Sequence, residues 1–454
     1  MSHDATGEGS ANTHASAGPP ETLTTGLRGP RRATASHLPR WPVTAAFAAY
    51  PLWWFLGLLD LVLVPLAAVM LFYLTSTIGV RVPRGWGLWA FFVLCAGFSI
   101  VMIDELGALI GFTYRYLLLL AVTILFVYLY NARRHLTDRY LLGLLTLVWV
   151  TVVAGGYTAM VIPDATWRTP MAYVLDVIRA VAPGSAIIFN NELVIQMAVR
   201  PFSQFGADSV FDLAPRPVAP FRYTNNWGNV YSLLLPLVVA YALSTGARRR
   251  RALWLVLPLS IVPALLTLNR GMILGILVAV MYVGLRGLLA GRPRIFVSTV
   301  IVAVFGCALF FALPVEERLN ARLSEGASST ETRSSVYRQA LASVPDSPIF
   351  GYGTPIEGTN PAAPPVGTQG QVWIILVSHG PLALGAALGW LLLVIVQTRR
   401  RWDTVGLAAH TAVLVGTMEL FYYGAIPYGL PLLMAAAALA LRPPSDVADE
   451  PRRA

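Results

Sequence analysis

The sequence predicts an all-α, polytopic membrane protein with about twelve transmembrane helices and two large extracytoplasmic loops. Three observations predict it. Over 454 residues the chain is 56% hydrophobic and only 12% charged. An ordinary soluble domain carries about 25% charged residues, so this chain cannot dress a water-exposed surface of its size. Apolar runs recur along most of the length, and a spanning helix needs about 20 such residues. The arginines sort to one side of those runs. Together these exclude a soluble enzyme, a disordered chain and a disulfide scaffold.

Residues 1–42 are polar and rich in Gly, Ala, Ser, Thr and Pro. They cannot bury a core and are expected to form a disordered cytoplasmic tail. No signal-peptide pattern precedes the first apolar stretch, which begins after Trp41. A single transmembrane domain follows over 43–441. Its spans are expected at about 43–59, 61–79, 86–103, 110–130, 140–162, 226–244, 252–268, 271–289, 295–313, 371–397, 404–421 and 425–441. Gly57 and Asp60 mark the turn between the first two. Residues 442–454 form a C-terminal tail.

The net charge is +10, and all 33 basic residues are arginine. With both termini inside, 22 of them fall in the tails and the short inner connections, and nine in the two long loops, 163–225 and 314–370. Basic residues close to a span set its orientation, and two inside termini require an even number of spans. The expected location is the plasma (inner) membrane, multi-pass, with both termini cytoplasmic. The arginines lie in short clusters between apolar segments, so no nucleic-acid partner is expected. Cys95 and Cys307 sit in apolar segments and behave as small hydrophobes.

The long loops are close to charge-balanced. Met171–Val181 and Glu192–Val199 have amphipathic helical spacing, which predicts short helices lying on the membrane. Loops of this length usually carry function. No internal repeat joins the two halves of the chain, which weakens a transporter reading.

A charge inside the membrane costs several kcal/mol by insertion scales and is a functional hypothesis by default. Arg115, in Gly-Phe-Thr-Tyr-Arg-Tyr, lies near the outer end of the fourth span. It either snorkels to headgroups or offers a fixed guanidinium to a phosphate. Arg270 lies in Thr-Leu-Asn-Arg-Gly-Met, at the outer junction of two spans joined with almost no loop. Asn269 adds a hydrogen-bonding group beside it, and Gly271 allows close approach. Guanidinium offers phosphate a bidentate fork that ammonium does not. Arg222, Asn225, Asn226 and Asn229 reach the same depth at the start of the sixth span, and amides beside a cation suit sugar hydroxyls and phosphate together. Within the second loop, Arg333, Tyr337 and Arg338 fall within two turns, with Arg333 and Tyr337 on one face. A turn-rich run with Gly351 and Gly353 follows, and then Gly-Thr-Gln-Gly, with Gln369 at the mouth of the tenth span. His379, deeper in that span, reads as a helix-packing residue. Phosphate-binding loops, paired acidic metal signatures and dinucleotide fingerprints are absent from the sequence, so no cofactor and no metal are expected.

Three segments carry a family resemblance: Asn-Arg-Gly at 269–271, the Arg333…Tyr337…Pro-Ile-Phe-Gly-Tyr-Gly loop, and Gly-Thr-Gln-Gly, nine residues, then Gly at 367–380. In their order and spacing the chain resembles the O-antigen ligase and O-antigen polymerase superfamily, bacterial multi-helix glycosyltransferases of the C type. The resemblance covers roughly 43–441. It implies transfer of a glycan from a polyprenyl diphosphate to an acceptor hydroxyl, without metal, on the extracytoplasmic face. It also implies that Arg270 and Arg222 hold the diphosphate and that Arg333 or Arg338 assists. The family pattern places a His where this chain has Gln369. Glutamine donates and accepts hydrogen bonds but is no general base.

Three readings follow. Gln369 orients the acceptor while arginine charge stabilises the leaving group; or Glu331, Glu357 or Asp346 supplies the base; or the chain binds glycan lipids without transferring them. The expected function is an envelope polysaccharide polymerase or ligase acting on a lipid-linked oligosaccharide. The rivals are a non-catalytic scaffold that recruits other envelope-glycan enzymes and a lipid-linked glycan transporter or flippase.

Overall fold

Backbone in lipid must satisfy its own hydrogen bonds, so apolar runs fold as helices. The computed structural model describes residues 38–181, 192–204, 216–312, 332–361 and 363–443. Residues 1–37 of the tail expected to be disordered, residues 444–454 of the C-terminal tail and the segment holding Glu331 lie outside the described residues, whereas Trp41 and Pro42, expected in the disordered tail, open α1. The helices are α1 (Trp41–Ala48), α2 (Tyr50–Leu56), α3 (Leu63–Thr75), α4 (Trp86–Phe98), α5 (Leu106–Asn131), α6 (Asp138–Val161), α7 (Pro170–Val181) and α8 (Glu192–Ala198). They continue as α9 (Thr224–Ser244), α10 (Ala247–Leu266), α11 (Arg270–Leu289), α12 (Pro293–Ala312), α13 (332–342), α14 (Gln371–Thr398), α15 (Thr404–Glu419) and α16 (Gly429–Leu441). Of these, α5, α6, α9, α11 and α14 are long and apolar enough to cross a membrane.

The run expected as one span over 43–59 is two helices. Pro51 brings no N–H, and Ala49 leaves helical geometry ahead of it. Gly57, at φ 82°, ends α2 and returns its N–H to Trp54. The two short helices expected in the first long loop are α7 and α8, close to their predicted bounds. Two small antiparallel pairs, unread from the sequence, tie that loop together: β1 (Thr166–Arg168) with β2 (Val199–Pro201), and β3 (Ser203–Gln204) with β4 (Arg216–Pro217).

Helix α9 runs through the middle of the bundle, packed against α6, α11, α15 and α16. Its polar residues Asn229 and Ser232 are therefore buried rather than turned to water. At one end of the bundle Arg442 locks α16 to the α5–α6 turn, donating to Asp138 Oδ1 at 2.8 Å and to the carbonyl of Leu136 at 3.0 Å. At the other end Arg200 of β2 pairs with Asp60, and Tyr428 donates to the same carboxylate. Both ion pairs are fully buried. A buried pair whose partner is removed costs roughly 3–5 kcal/mol, so these two contacts hold register between segments far apart in the chain.

Candidate functional site

The starts of α9, α11 and α14 and the end of α15 meet at one end of the bundle. The segment that joins them is Phe421–Ala425, between α15 and α16. Asn269 caps α11, accepting from the Met272 N–H at 3.4 Å. Its amide also donates to the carbonyl of Thr224 at 2.9 Å, and its oxygen accepts from the Tyr423 hydroxyl. Asn269 is thus buried and taken up by protein groups on α9 and beside α15. The same segment receives α14: Gln371 N–H donates to Tyr423 O at 2.8 Å, and Ala425 N–H donates to Gln371 Oε1 at 3.0 Å. Trp373 Nε1 donates to Phe421 O at 2.9 Å.

Two glycines make these approaches feasible. A β-carbon on Gly271 would sit 2.5 Å from the Tyr422 ring and from the Tyr423 hydroxyl. Gly370 holds φ 119° against the Phe421 backbone. Neither position tolerates a side chain.

Around this junction lie most of the sequence-predicted residues. Arg270 is the first residue of α11, exposed, and makes no ion pair or hydrogen bond among the described residues. Asn225 and Asn226, in the first turn of α9, follow directly on the Thr224 carbonyl that Asn269 grips. Both are half-buried. Arg222 is half-buried, with its guanidinium 5.4 Å from the Tyr223 ring centre. Gln369 is half-buried in the turn ahead of α14. Arg216 Nε donates to the carbonyl of Thr267 at 2.7 Å, which places a further guanidinium two residues from Asn269.

The second loop reaches the same mouth through an aromatic stack. Tyr337 lies on Trp373 at 4.4 Å between ring centres and 13° between planes. Burial pushes the Tyr337 hydroxyl up, and Arg333 on the same helix face partly offsets it, so near neutral pH the phenol is a hydrogen-bond donor. Arg333 and Arg338 are exposed on α13.

Arg115 stands apart from this group. It lies on the side of the bundle built by α4, α5 and α14, within electrostatic range of His379. There His379 Nδ1 and Ser99 Oγ share a hydrogen bond of 2.7 Å, and Phe112 meets the imidazole edge to face. His379 packs between helices, as expected. Beside it α14 breaks. Gly380 adopts φ 84° and Pro381 has no N–H to give. The carbonyls of Val377 and Ser378 instead accept from Tyr352 N–H and Gly353 N–H, each at 2.8 Å. The Pro-Ile-Phe-Gly-Tyr-Gly run of the second loop is therefore inserted into a broken helix. Non-helical backbone at this depth is tolerated because protein buries it.

Sequence reasoning missed Glu419. It is fully buried at the end of α15, accepting from Asn229 Nδ2 at 2.7 Å and from Ser232 Oγ at 2.5 Å. Its Oε1 lies so close to Gly275 of α11 that a β-carbon there would collide with it. The missed signal was a carboxylate inside an apolar run, which is costly without partners. Glu419→Ala leaves the Asn229 amide buried without its acceptor and opens a cavity. The expected loss is about 2–4 kcal/mol, whereas Glu419→Gln keeps an oxygen acceptor and most of the volume. Thermal unfolding in detergent checks this; equal midpoints for the Ala variant and the wild type would show that the carboxyl carries no structural role. Tyr422 and Tyr423 were missed too, since aromatics near a membrane interface are ordinary.

Residues 255–396 match the family model described as O-antigen ligase. This segment is similar to the O-antigen ligase family. No curated protein matches the chain. The matched segment runs from within α10 past the break in α14, so it contains Asn269, Arg270, α13 and Gln369. Arg115, Arg222, Asn225, Asn226, Glu419 and Tyr423 lie outside it. The likeness and the five long apolar helices support a membrane protein with an envelope-glycan function of the O-antigen ligase or polymerase type.

Proposed function

We propose that the protein is an envelope polysaccharide polymerase or ligase of the inner membrane. It transfers a glycan from a polyprenyl diphosphate to an acceptor hydroxyl on the extracytoplasmic face. The observation that carries the reading is Arg270, an exposed guanidinium without a protein partner among the described residues, standing inside the segment similar to the O-antigen ligase family and next to Asn269, which grips the start of α9. Arg270 and Arg222 hold the diphosphate. Asn225 and Asn226 hydrogen-bond sugar hydroxyls, and Asn269 sets the start of α11. Arg333 and Arg338 approach from α13 once Tyr337 has docked it on Trp373. Arg115 forms a second cationic point on the α4–α5 side of the bundle. The chain crosses the membrane twelve times with both termini cytoplasmic, as the arginine distribution supports.

No step of this transfer requires a strong base if the diphosphate leaves under cationic stabilisation. Gln369 accepts a hydrogen bond from the acceptor hydroxyl and orients it toward the anomeric carbon. The C–O bond to the diphosphate breaks, the new glycosidic bond forms, and the hydroxyl proton passes to solvent or to the released diphosphate. The loop over α13 excludes water from the site.

The test is a clean deletion strain and the size distribution of its envelope polysaccharide. Loss of long or ligated glycan, restored by the wild type but not by Gln369→Ala, supports an enzyme with Gln369 in its site. Restoration by Gln369→Ala at wild-type level removes this residue from the mechanism. An unchanged glycan profile in the deletion strain itself sinks the functional reading. A non-catalytic scaffold is the second reading, favoured by glutamine at the family's His position. It predicts that the protein binds polyprenyl diphosphate glycan, or its partner enzymes, without consuming the glycan.

A further inference from the structure

The arginine-rich end of the bundle, remote from the site above, holds two adjoining hollows. The first, of about 520 Å³, lies between the residues leading into α1 and the α5–α6 turn. It is lined by Arg40, Arg134, His135 and Tyr140, with Pro39 and Thr137 completing the wall. The second, of about 560 Å³, shares Arg40 and Tyr140 with the first and continues along α1 past Trp41, Ala45, Ala48 and Ala49. Volumes in this range suit a ligand rather than a few waters. We propose that the two hollows together are the site of one anionic phospholipid, its phosphate on Arg40 and Arg134 and an acyl chain along the alanine face of α1.

Four observations commit the site to a lipid. No carboxylate lines either hollow, and Arg40 and Arg134 make no ion pair among the described residues. Arg40 instead lies with its guanidinium 5.4 Å from the centre of the Tyr140 ring. The charged half and the apolar half share Arg40 and Tyr140 as walls, which matches a molecule with a phosphate at one end and methylenes at the other. Ala45, Ala48 and Ala49 make that half apolar, whereas a protein partner of this basic hollow would need no apolar arm. The level is that of a membrane boundary, where α5 ends at Asn131 and α6 begins at Asp138. Trp41 is 47% exposed there, as an interfacial tryptophan is.

The walls are prebuilt. The Tyr128 hydroxyl donates to Pro39 O and anchors the segment that carries Arg40. Thr44 Oγ1 and Tyr140 Oη share a hydrogen bond of 2.8 Å that ties α1 to α6 across the floor. Basic pockets between membrane helices on the cytoplasmic side are where anionic headgroups are recognised. The site depends on none of the residues assigned to glycan transfer.

The full-length protein is exchanged into vesicles of equimolar phosphatidylglycerol and phosphatidylcholine, released gently, and weighed intact by native mass spectrometry. Wild type is expected to retain one phosphatidylglycerol in preference to phosphatidylcholine. Each arginine near the surface contributes about a factor of five, so Arg40→Gln with Arg134→Gln lowers that preference by about 25-fold. Both side chains lie at the surface, so the pair folds; Ala48→Phe, which fills the apolar arm, is expected to lower retention with the charges intact. Equal preference in wild type and the double arginine variant overturns the proposal. So does displacement of the bound lipid by inorganic phosphate or glycerophosphoglycerol at millimolar concentration, which would make the hollow a site for soluble anions.

Discussion

Arg270→Ala is expected to abolish long or ligated envelope glycan while leaving the protein at wild-type level in the membrane. The two halves of that expectation have separate causes. Arg270 is exposed and bonded to nothing among the described residues, and substitutions at such positions change stability by about 0.5 kcal/mol or less. The cap that starts α11 belongs to Asn269, not to Arg270, so the helix keeps its place. The chemistry, in contrast, loses the charge that would meet the leaving diphosphate. Removing one preorganised donor to a developing anion costs on the order of 10²–10³ in rate, and a guanidinium held to phosphate by two bonds is among the stronger such donors. Arg270→Lys keeps the charge without the fork and is expected to recover only part of the activity. The readout is polymer length by gel, with lipid-linked precursor accumulating behind the block. Normal polymer length in Arg270→Ala would remove this arginine from the site.

Gly380→Ala is expected to undock the second loop from α14 and to inactivate the protein through its structure. Two costs combine. Alanine must adopt φ 84°, where an L residue pays about 1–2 kcal/mol. Its β-carbon would also collide with the carbonyl of Ile349, which is backbone and cannot swing aside. Relief requires the 349–353 segment to retreat, and the carbonyls of Val377 and Ser378 then lose Tyr352 N–H and Gly353 N–H. An unsatisfied buried carbonyl costs roughly 1–3 kcal/mol, so the total is on the order of 3–5 kcal/mol. Gly385→Ala, in the same helix with nothing within 4 Å of the added carbon, is the control and is expected to be neutral or slightly stabilising. Limited proteolysis across 332–370 and thermal unfolding in detergent report the effect. A Gly380→Ala protein as protease-resistant as the Gly385→Ala control would mean that the loop is held by something other than the broken helix.

These expectations rest unevenly on what could be read from the chain. The Asn269–Arg270–Gly271 run was visible because polar residues in an apolar context stand out, and its place between two spans follows from hydropathy. The division of labour inside it was not visible. Asn269 spends its hydrogen bonds on Met272, Thr224 and Tyr423, leaving Arg270 as the exposed member. The α14 break had a signal in the Gly-Pro pair at 380–381, but the need to fill the freed carbonyls with backbone from residues 352 and 353 did not. Likewise Arg115 looked like a partner for Arg270, since both fall near outer helix ends. The bundle instead sets it within electrostatic range of His379.

The membrane class, the helical runs, the two amphipathic loop helices and the polar clusters at the helix ends follow from the sequence alone. Each depends on a property of neighbouring residues: the apolar content of a window, its period, or a cap beside a run. The meeting of Tyr423 with Asn269 across 154 residues, of Glu419 with Asn229 across 190 and of Asp60 with Arg200 across 140 was decided only by tertiary structure. Hydrophobicity and helical hydrogen bonding say that each segment must bury itself, and they are nearly indifferent to the choice of neighbour. That choice is made by close packing at a few glycines and by buried polar groups, each of which is costly until it finds its one distant partner.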